Sequence, residues 1–433
     1  MKRRIMMKGA LLGLLALILL WGIVGSGTVP ASTAGDQGMY KNLKTFNEIL
    51  DIIENNYVEE IEPKKVMEGA IQGMISSLDP HSVYLSPEMY RELQVDTKGV
   101  FGGLGIEITI KNDVLTVVSP IEDTPAFIAG IKADDQIVAI EGKSTRGMNI
   151  MEAVQKLRGP RGSEVTISIM REGLAKPKDY AIIRDIIKVR SVRYERMDGD
   201  IGYLRISSFN ENTLDEVVKA LKEMILKKDP LKGLVVDLRN NPGGLLDQAV
   251  RVSDVFLKDG KIVSTKGRIP STEKSYEAQD DGDELPCPMV VLINRGSASA
   301  SEIVAGALRD NGRALLVGAQ TFGKGSVQAV IPLNDGSALK LTTAKYYTPN
   351  GTSIQATGIM PDILVELDRK EKNGPDEKET ILQEKDLEGH LPGESGGSKA
   401  AEGEGSMKKW DNQLKYAVDL LKSWSVFEGM KTR

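Results

Sequence analysis

The chain of 433 residues carries one cysteine, Cys287, and two histidines, His81 and His390. A lone cysteine closes no internal disulfide. So short a supply of thiol and imidazole leaves little from which to build a metal centre, and neither a metal nor another cofactor is expected. The shortage also narrows the hydrolytic options. His390 sits in a polar, glycine-rich tail, so a Ser-His-Asp triad would have to recruit His81 from a distant segment. Aromatic residues make up 5% of the chain, and the formal net charge is −5 with acids and bases interleaved. A chain without a basic face cannot hold a phosphate backbone, so no nucleic-acid partner is expected. No apolar run reaches the roughly 20 residues that cross a bilayer as a helix. The longest, Gly9 to Val24, follows the basic residues Lys2, Arg3, Arg4 and Lys8 and precedes Ser32, Thr33 and Ala34. That order marks residues 1–34 as a signal segment, either cleaved after Ala34 or kept as an anchor. The rest of the chain is then expected to be exported, periplasmic or otherwise extracytoplasmic, with the basic start left in the cytoplasm.

What the chain does have is a dense stretch from Gly296 to Gln328. Serines alternate with alanines in Ser297-Ala298-Ser299-Ala300-Ser301-Glu302, just after the apolar run Val290 to Ile293. Ile303, Val304, Ala307 and Leu308 then share one helical face. A second apolar run, Ala314 to Val317, leads to Thr321-Phe322-Gly323-Lys324-Gly325-Ser326-Val327-Gln328. A serine at a helix mouth and a lysine in a glycine-bounded bend can form a Ser-Lys catalytic pair. The lysine must then be neutral, its pKa lowered from near 10.4 by burial or by a cationic neighbour. Two other readings stand beside this one. Ser299 and Glu302 match the S-x-x-E capping box, in which the serine only starts a helix. Gly318 to Lys324 spells G-x-x-x-x-G-K, but Gly325 and a strand-like run follow where a phosphate loop needs a hydroxyl residue and a helix.

The remaining chain alternates between helical and extended patterns. Tyr40 to Leu78 reads as two helices, one striped by Leu43, Phe46, Ile49, Leu50, Ile53 and Tyr57, the next opened by Pro63. Such stripes pack on the body or on a second subunit, so a homo-oligomer is expected. Strands are predicted at 106–110, 116–119, 136–140 and 164–170, with helices at 126–130 and 150–157. From Asp198 the pattern is α/β, with strands at 201–206, 233–238, 261–265, 289–293, 314–317, 327–331 and 338–346. Helices at 214–226 and 245–256 are interleaved. Strand 233–238 ends in Arg239-Asn240-Asn241-Pro242-Gly243-Gly244, where glycines can turn backbone N–H groups toward a developing oxyanion. Gly243 or Gly244, with the N–H of Ala300, are the expected donors. Residues 368–408 are rich in Glu, Lys, Gly and Ser and read as a polar linker. From Trp410 to Trp424 helical periodicity returns through Leu414, Ala417, Val418 and Leu421.

Four motifs in order, Ser77-Leu78-Asp79-Pro80-His81-Ser82, Asp237-Leu238-Arg239-Asn240-Asn241-Pro242-Gly243-Gly244, Ser297 to Glu302 and Thr321 to Gln328, resemble those of the C-terminal processing peptidases. These are tail-specific serine proteases with a PDZ domain, and the likeness runs over roughly residues 40–365. It implies an α/β multidomain chain with a crotonase-like αβ-spiral peptidase core at 184–367 and a PDZ domain at 99–183. Helical regions would flank these at 40–98 and 409–433. It implies Ser299 as nucleophile, Lys324 as base and Gln328 as the residue that orients the lysine; composition alone does not separate Ser299 from Ser297 or Ser301. Gly103-Leu104-Gly105-Ile106 is similar to the PDZ loop whose backbone N–H groups take a peptide carboxylate. Leu104, Gly105 and Ile106 are thus expected to bind substrate tails. Arg158 would read the bound tail, touch the peptidase core, or simply be solvated. The implied activity is endoproteolysis of proteins chosen by their C-termini, with a regulatory or adaptor protein as a further candidate partner. His81 is expected to be structural, and Glu302, Asp310 and Thr321 to support the site. Two other function classes remain open: an inactive PDZ scaffold, disfavoured by the intact Ser299, Lys324 and Gln328, and acyl-CoA chemistry on a crotonase-like fold, disfavoured by the export segment.

Overall fold

The computed structural model describes residues 33–111, 113–225, 230–280, 282, 285–368, 383–393 and 411–431. The apolar stretch Gly9 to Val24 and the basic residues before it lie outside these. Among the described residues no helix is long and apolar enough to cross a membrane. The chain divides into two units, Met1–Ile71 and Gln72–Arg433. The first contains the helix Thr33–Asn56 and the opening of the helix Pro63–Ser76. Pro63 suits a first helical position, where its missing N–H costs nothing.

The second unit is built on a six-stranded sheet. Its order is Val192–Met197, Ile201–Ile206, Gly233–Asp237, Met289–Ile293, Leu315–Gly318 and Ile363–Leu364. The first pair is antiparallel and every later pair parallel. Gly233–Asp237 and Met289–Ile293 are buried at every position, as expected for parallel strands covered on both faces. Alternate residues divide between two cores. Leu234, Val236, Val291 and Ile293 join Val217, Ala249, Ile303 and Val304 of the helices Thr213–Ile225, Leu246–Asp254 and Ala300–Asp310. Val235, Val290 and Leu292 meet Leu414, Ala417, Val418 and Leu421 of the helix Asn412–Lys431. The C-terminal periodicity seen in the sequence is therefore the covering of this sheet's second face.

The arrangement fixes where a site can form. Three neighbouring parallel strands end in the segments singled out above. Asp237 leads to the Asn-Pro-Gly-Gly turn, Ile293 to the serine run and Gly318 to the lysine bend. Open parallel sheets place their ligands at such carboxyl ends. A second, antiparallel sheet stands beside them: Ala338–Tyr347 pairs with Val83–Leu85, Lys261–Gly267 and Ser326–Pro332, and Lys274–Glu277 closes the far edge.

Residues 106–183 form a further antiparallel sheet around its own core, which includes Leu115, Ile137, Val165, Ile167 and Ala153. The strand Ile106–Lys111 stands at one end of the sheet order. Val100–Gly103 pairs with Asp185–Lys188, so the chain enters and leaves this sheet side by side. The helix Pro87–Lys98 before it has no buried residue, which is why no apolar stripe announces it in the sequence. Ser86 caps its start and Gly99, at φ +64°, ends it. Beside Gly99, the amide of Asn212 donates to the carbonyl of Lys98 at 2.8 Å.

Of the span expected as a polar linker, residues 369–382 and 394–408 lie outside the described residues. Residues 383–393 pack against the core, with Gln383 and Glu384 buried. Both side chains are hydrogen-bonded there, Gln383 to the Thr321 carbonyl and Glu384 to Gln355 and His81.

Candidate active site

The three serines separate by geometry. Ser297 and Ser301 are fully buried and donate to the carbonyls of Leu238 (2.8 Å) and Asn241 (2.9 Å), so both tie the serine run to the neighbouring turn. Ser299 is half-buried and stands at the helix mouth with φ +55° and ψ −112°. Such a backbone is strained for a residue with a Cβ, and it persists only where the surroundings hold it. Ser299 is the N-cap of the helix Ala300–Asp310, yet its hydroxyl makes no cap bond. The N–H of Glu302 goes instead to the Ser299 carbonyl at 2.9 Å. Of the expected capping box, the Glu302 half ties the Ser299 N–H to the Glu302 carboxyl at 2.8 Å.

Glu302 is the joint of the site. It is fully buried, and its carboxyl accepts four hydrogen bonds. Oε2 takes the N–H groups of Ser299 (2.8 Å) and Lys324 (2.9 Å). Oε1 takes the Thr321 hydroxyl (2.5 Å) and the N–H of Gly323 (2.8 Å). One carboxyl oxygen thus bridges the main chains of the serine mouth and the lysine bend. The Phe322 N–H, donated to the Ser297 carbonyl at 3.0 Å, is a second tie. Burial pushes the Glu302 carboxyl up to about 7, against the opposing pull of those four donors.

Lys324 is half-buried. Burial, and then the charge of Lys340, lower its amine to about 8, while Glu384, Glu302 and Asp79 act in the opposite sense. This is the direction a lysine base needs. Lys340 carries no motif and is absent from the expectations above. It lies on the strand Ala338–Tyr347, opposite Val330. Gln328 does not bond to the Lys324 amine here: its amide donates to the hydroxyls of Ser326 (2.9 Å) and Thr342 (3.4 Å).

The Asp79-to-Ser82 turn backs this wall. Asp79 accepts from the Ser82 hydroxyl (2.6 Å), the Thr342 hydroxyl (3.0 Å) and the N–H of His81 (2.8 Å). Burial alone would raise its carboxyl, but these bonds outweigh it and hold the group low. The His81 ring lies against the buried Glu384, 2.7 and 2.9 Å from its two oxygens, so His81 is held as part of the framework. Asp310, another supporting candidate, instead accepts from the N–H of Asn350.

Of the expected oxyanion donors, the Gly243 N–H is already given to Asn241 Oδ1 at 2.9 Å. That commitment is invisible in the sequence. Gly243 nevertheless packs on the serine: a Cβ built there would lie 2.8 Å from the Ala298 carbonyl oxygen and 2.9 Å from Ser299 Cβ. Ala300 opens the helix, where first-turn N–H groups lack partners within the helix. The turn's root is rigid, because fully buried Arg239 binds Asp237 through two nitrogens and also reaches Asp411 (2.9 Å) and Gln413 (2.8 Å).

In the other sheet, Leu104, Gly105, Ile106 and Arg158 line one cavity together with Phe101, Ile108, Val154 and Leu157. The Arg158 guanidinium lies over the Phe101 ring, 4.7 Å from its centroid. The cavity runs along the end strand Ile106–Lys111, which has a free edge among the described residues.

Comparisons with known proteins agree with this organisation. Residues 200–365 match the model of peptidase family S41, residues 93–170 the PDZ domain and residues 25–89 the "activating protease CtpB N-terminal domain". The chain is 49% identical over 403 residues to a carboxy-terminal-processing protease of Bartonella bacilliformis, covering 92% of this chain and 91% of that one. It is 38% identical over 346 residues to the carboxy-terminal processing protease CtpA of Bacillus subtilis, covering 80% of this chain and 73% of the other. Among solved structures, a photosystem II D1 C-terminal processing protease aligns with a TM-score of 0.44 at 29% identity, covering 74% of this chain and 92% of that one.

Proposed function

The chain belongs to the carboxy-terminal processing proteases of peptidase family S41, serine-type enzymes with a PDZ domain, and on that premise we propose that Ser299 is its nucleophile and Lys324 its general base. The observation that carries the assignment is the Glu302 carboxyl, whose single oxygen bonds the backbone N–H groups of both residues. In the proposed reaction the neutral Lys324 amine accepts the Ser299 hydroxyl proton as the oxygen attacks a peptide carbonyl. The N–H of Ala300, with that of Gly244, stabilises the oxyanion. Gly243 joins them only by releasing Asn241. Collapse of the tetrahedral intermediate expels the amine with the proton held by Lys324, and water then hydrolyses the acyl-enzyme. Gln328 orients the lysine only after leaving Ser326 and Thr342, a rearrangement that substrate binding would have to drive.

A PDZ domain binds peptide C-termini. In this chain Leu104, Gly105 and Ile106 present the apolar cavity and the free strand edge to which a tail adds as a further strand. We also read the enzyme as exported, from the basic and apolar N-terminal sequence. Self-association through the first helix is supported by its exposed Met39, Tyr40, Leu43, Phe46, Ile49 and Ile52. The test of the catalytic assignment is cleavage of a tail-tagged unfolded protein, with products read by mass spectrometry. Ser299→Ala and Lys324→Ala should each abolish the cuts while leaving the fold intact; persistent cutting by either variant would remove that residue from the mechanism.

A further inference from the structure

The segment at 383–393 has more structure than its composition requires. Glu384 is fully buried, and a buried carboxylate is costly unless it is paired and hydrogen-bonded. Its partners come from two distant parts of the chain: the His81 ring at 2.7 and 2.9 Å, and the Gln355 amide at 2.7 Å. Gln355 in turn accepts the N–H of Gly325 at 3.0 Å. The Glu384 N–H donates to the Phe322 carbonyl at 3.2 Å, and the neighbouring Gln383 amide donates to the Thr321 carbonyl at 3.2 Å. These bonds fall on both sides of Lys324. Gly325 also lies so close to the Gln355 main chain that a Cβ there would lie 2.2 Å from the Gln355 backbone nitrogen.

We propose that Glu384 is a positioning residue for Lys324: the chain returns after the peptidase core to place a buried carboxylate that braces the lysine bend through Gln355 and is itself held by His81. The inference rests on the assignment of Lys324 as the base. It adds that the segment beyond the core completes the site instead of merely leading away from it. The charged groups around the amine are Lys340 on the strand Ala338–Tyr347, Glu302 on the serine helix, Asp79 in the turn before Val83, and Glu384. The Glu384 carboxylate favours the ammonium form and Lys340 opposes it. The brace therefore sets both where the amine lies and at what pH it gives up its proton.

The experiment is the pH profile of kcat/KM for cleavage of a tail-bearing peptide by the full chain. Wild type, Glu384→Gln, Glu384→Ala and Lys324→Ala are compared, each checked for fold by circular dichroism. Glu384→Gln keeps the size and an acceptor for Gln355 but removes the charge. Its rate should stay within about tenfold of wild type on the plateau, with the midpoint of the rising limb moved to lower pH by about half a unit or more. Glu384→Ala strands Gln355 and His81 and should lose about tenfold or more at every pH; if it does not fold, the Gln variant decides alone. A Glu384→Gln midpoint at or above that of wild type, or a folded Glu384→Ala with wild-type rates, overturns the proposal. If Lys324→Ala still cleaves, the underlying assignment fails instead, and the two failures are told apart.

Discussion

At the scale of single residues, the proposed chemistry asks one thing of Lys324: an amine that is neutral near working pH. The shift of Lys324 to about 8 has a direct consequence for rate. With Lys324 as the proposed base, the neutral form is the one that works, so kcat/KM should rise with pH, with unit slope below the midpoint, and level off above about 8. At pH 7 only about one-tenth of the lysine would be ready. A profile that is flat from pH 6 to 9, or one that falls through this range, would contradict a lysine base. Gly243 offers a second test. Its φ of +103° and the close approach of Ser299 and Ala298 leave no room for a methyl group. Gly243→Ala should therefore cut at least about 10²-fold more slowly, the scale of a reacting group displaced by about 1 Å. Steady-state kinetics on folded protein checks it.

At the scale of elements, the carboxyl ends of three adjacent parallel strands deliver the glycine turn, the serine mouth and the lysine bend to one place. The apolar runs at Gly233–Asp237 and Met289–Ile293 made these strands legible in the sequence, because burial on both faces leaves a continuous apolar signature. The motifs named Ser299 and Lys324 as candidates, and the backbone N–H groups of both meet one Glu302 oxygen. What hid was held by polar bonds across long chain separations. Asn241 occupies the Gly243 donor, Gln355 and Glu384 brace the bend, and Lys340 has no neighbours in sequence that mark it. The helix Pro87–Lys98 falls inside the helical region expected at 40–98 but shows no apolar stripe of its own, since it buries no residue. The C-terminal helix shows the opposite case: its stripe was plain, and its place became clear only from the sheet face it covers. Val418 is 2% exposed there. Val418→Asp should lower stability by about 3 kcal/mol or more through an unpaired buried charge. A urea melt measures this, and an unchanged midpoint would mean the helix does not cover the sheet.

At the scale of the whole molecule, one chain joins a PDZ sheet to the candidate active site. The two are linked where Gly99 meets Asn210 and where Asn212 bonds Lys98. If recognition depends on a free carboxylate in the cavity at Leu104 to Ile106, amidating the C-terminus of a peptide substrate should lower kcat/KM by about tenfold or more. The rate should fall mainly through KM if the tail only tethers, and through kcat as well if its binding also aligns the site. The present arrangement of Gln328, bonded to Ser326 and Thr342 and away from the lysine amine, favours the second outcome.

The central claim, that Lys324 activates Ser299, is tested most directly by trapping the covalent intermediate. A slowly deacylating ester with an apolar peptide tail is incubated with wild type and with Lys324→Ala, and the acylated residue is located by peptide mass mapping. A single acyl group is expected on Ser299 in wild type and none in the lysine variant over the same time at pH 8. Acylation of another residue, or wild-type acylation of Ser299 without the lysine, would contradict it.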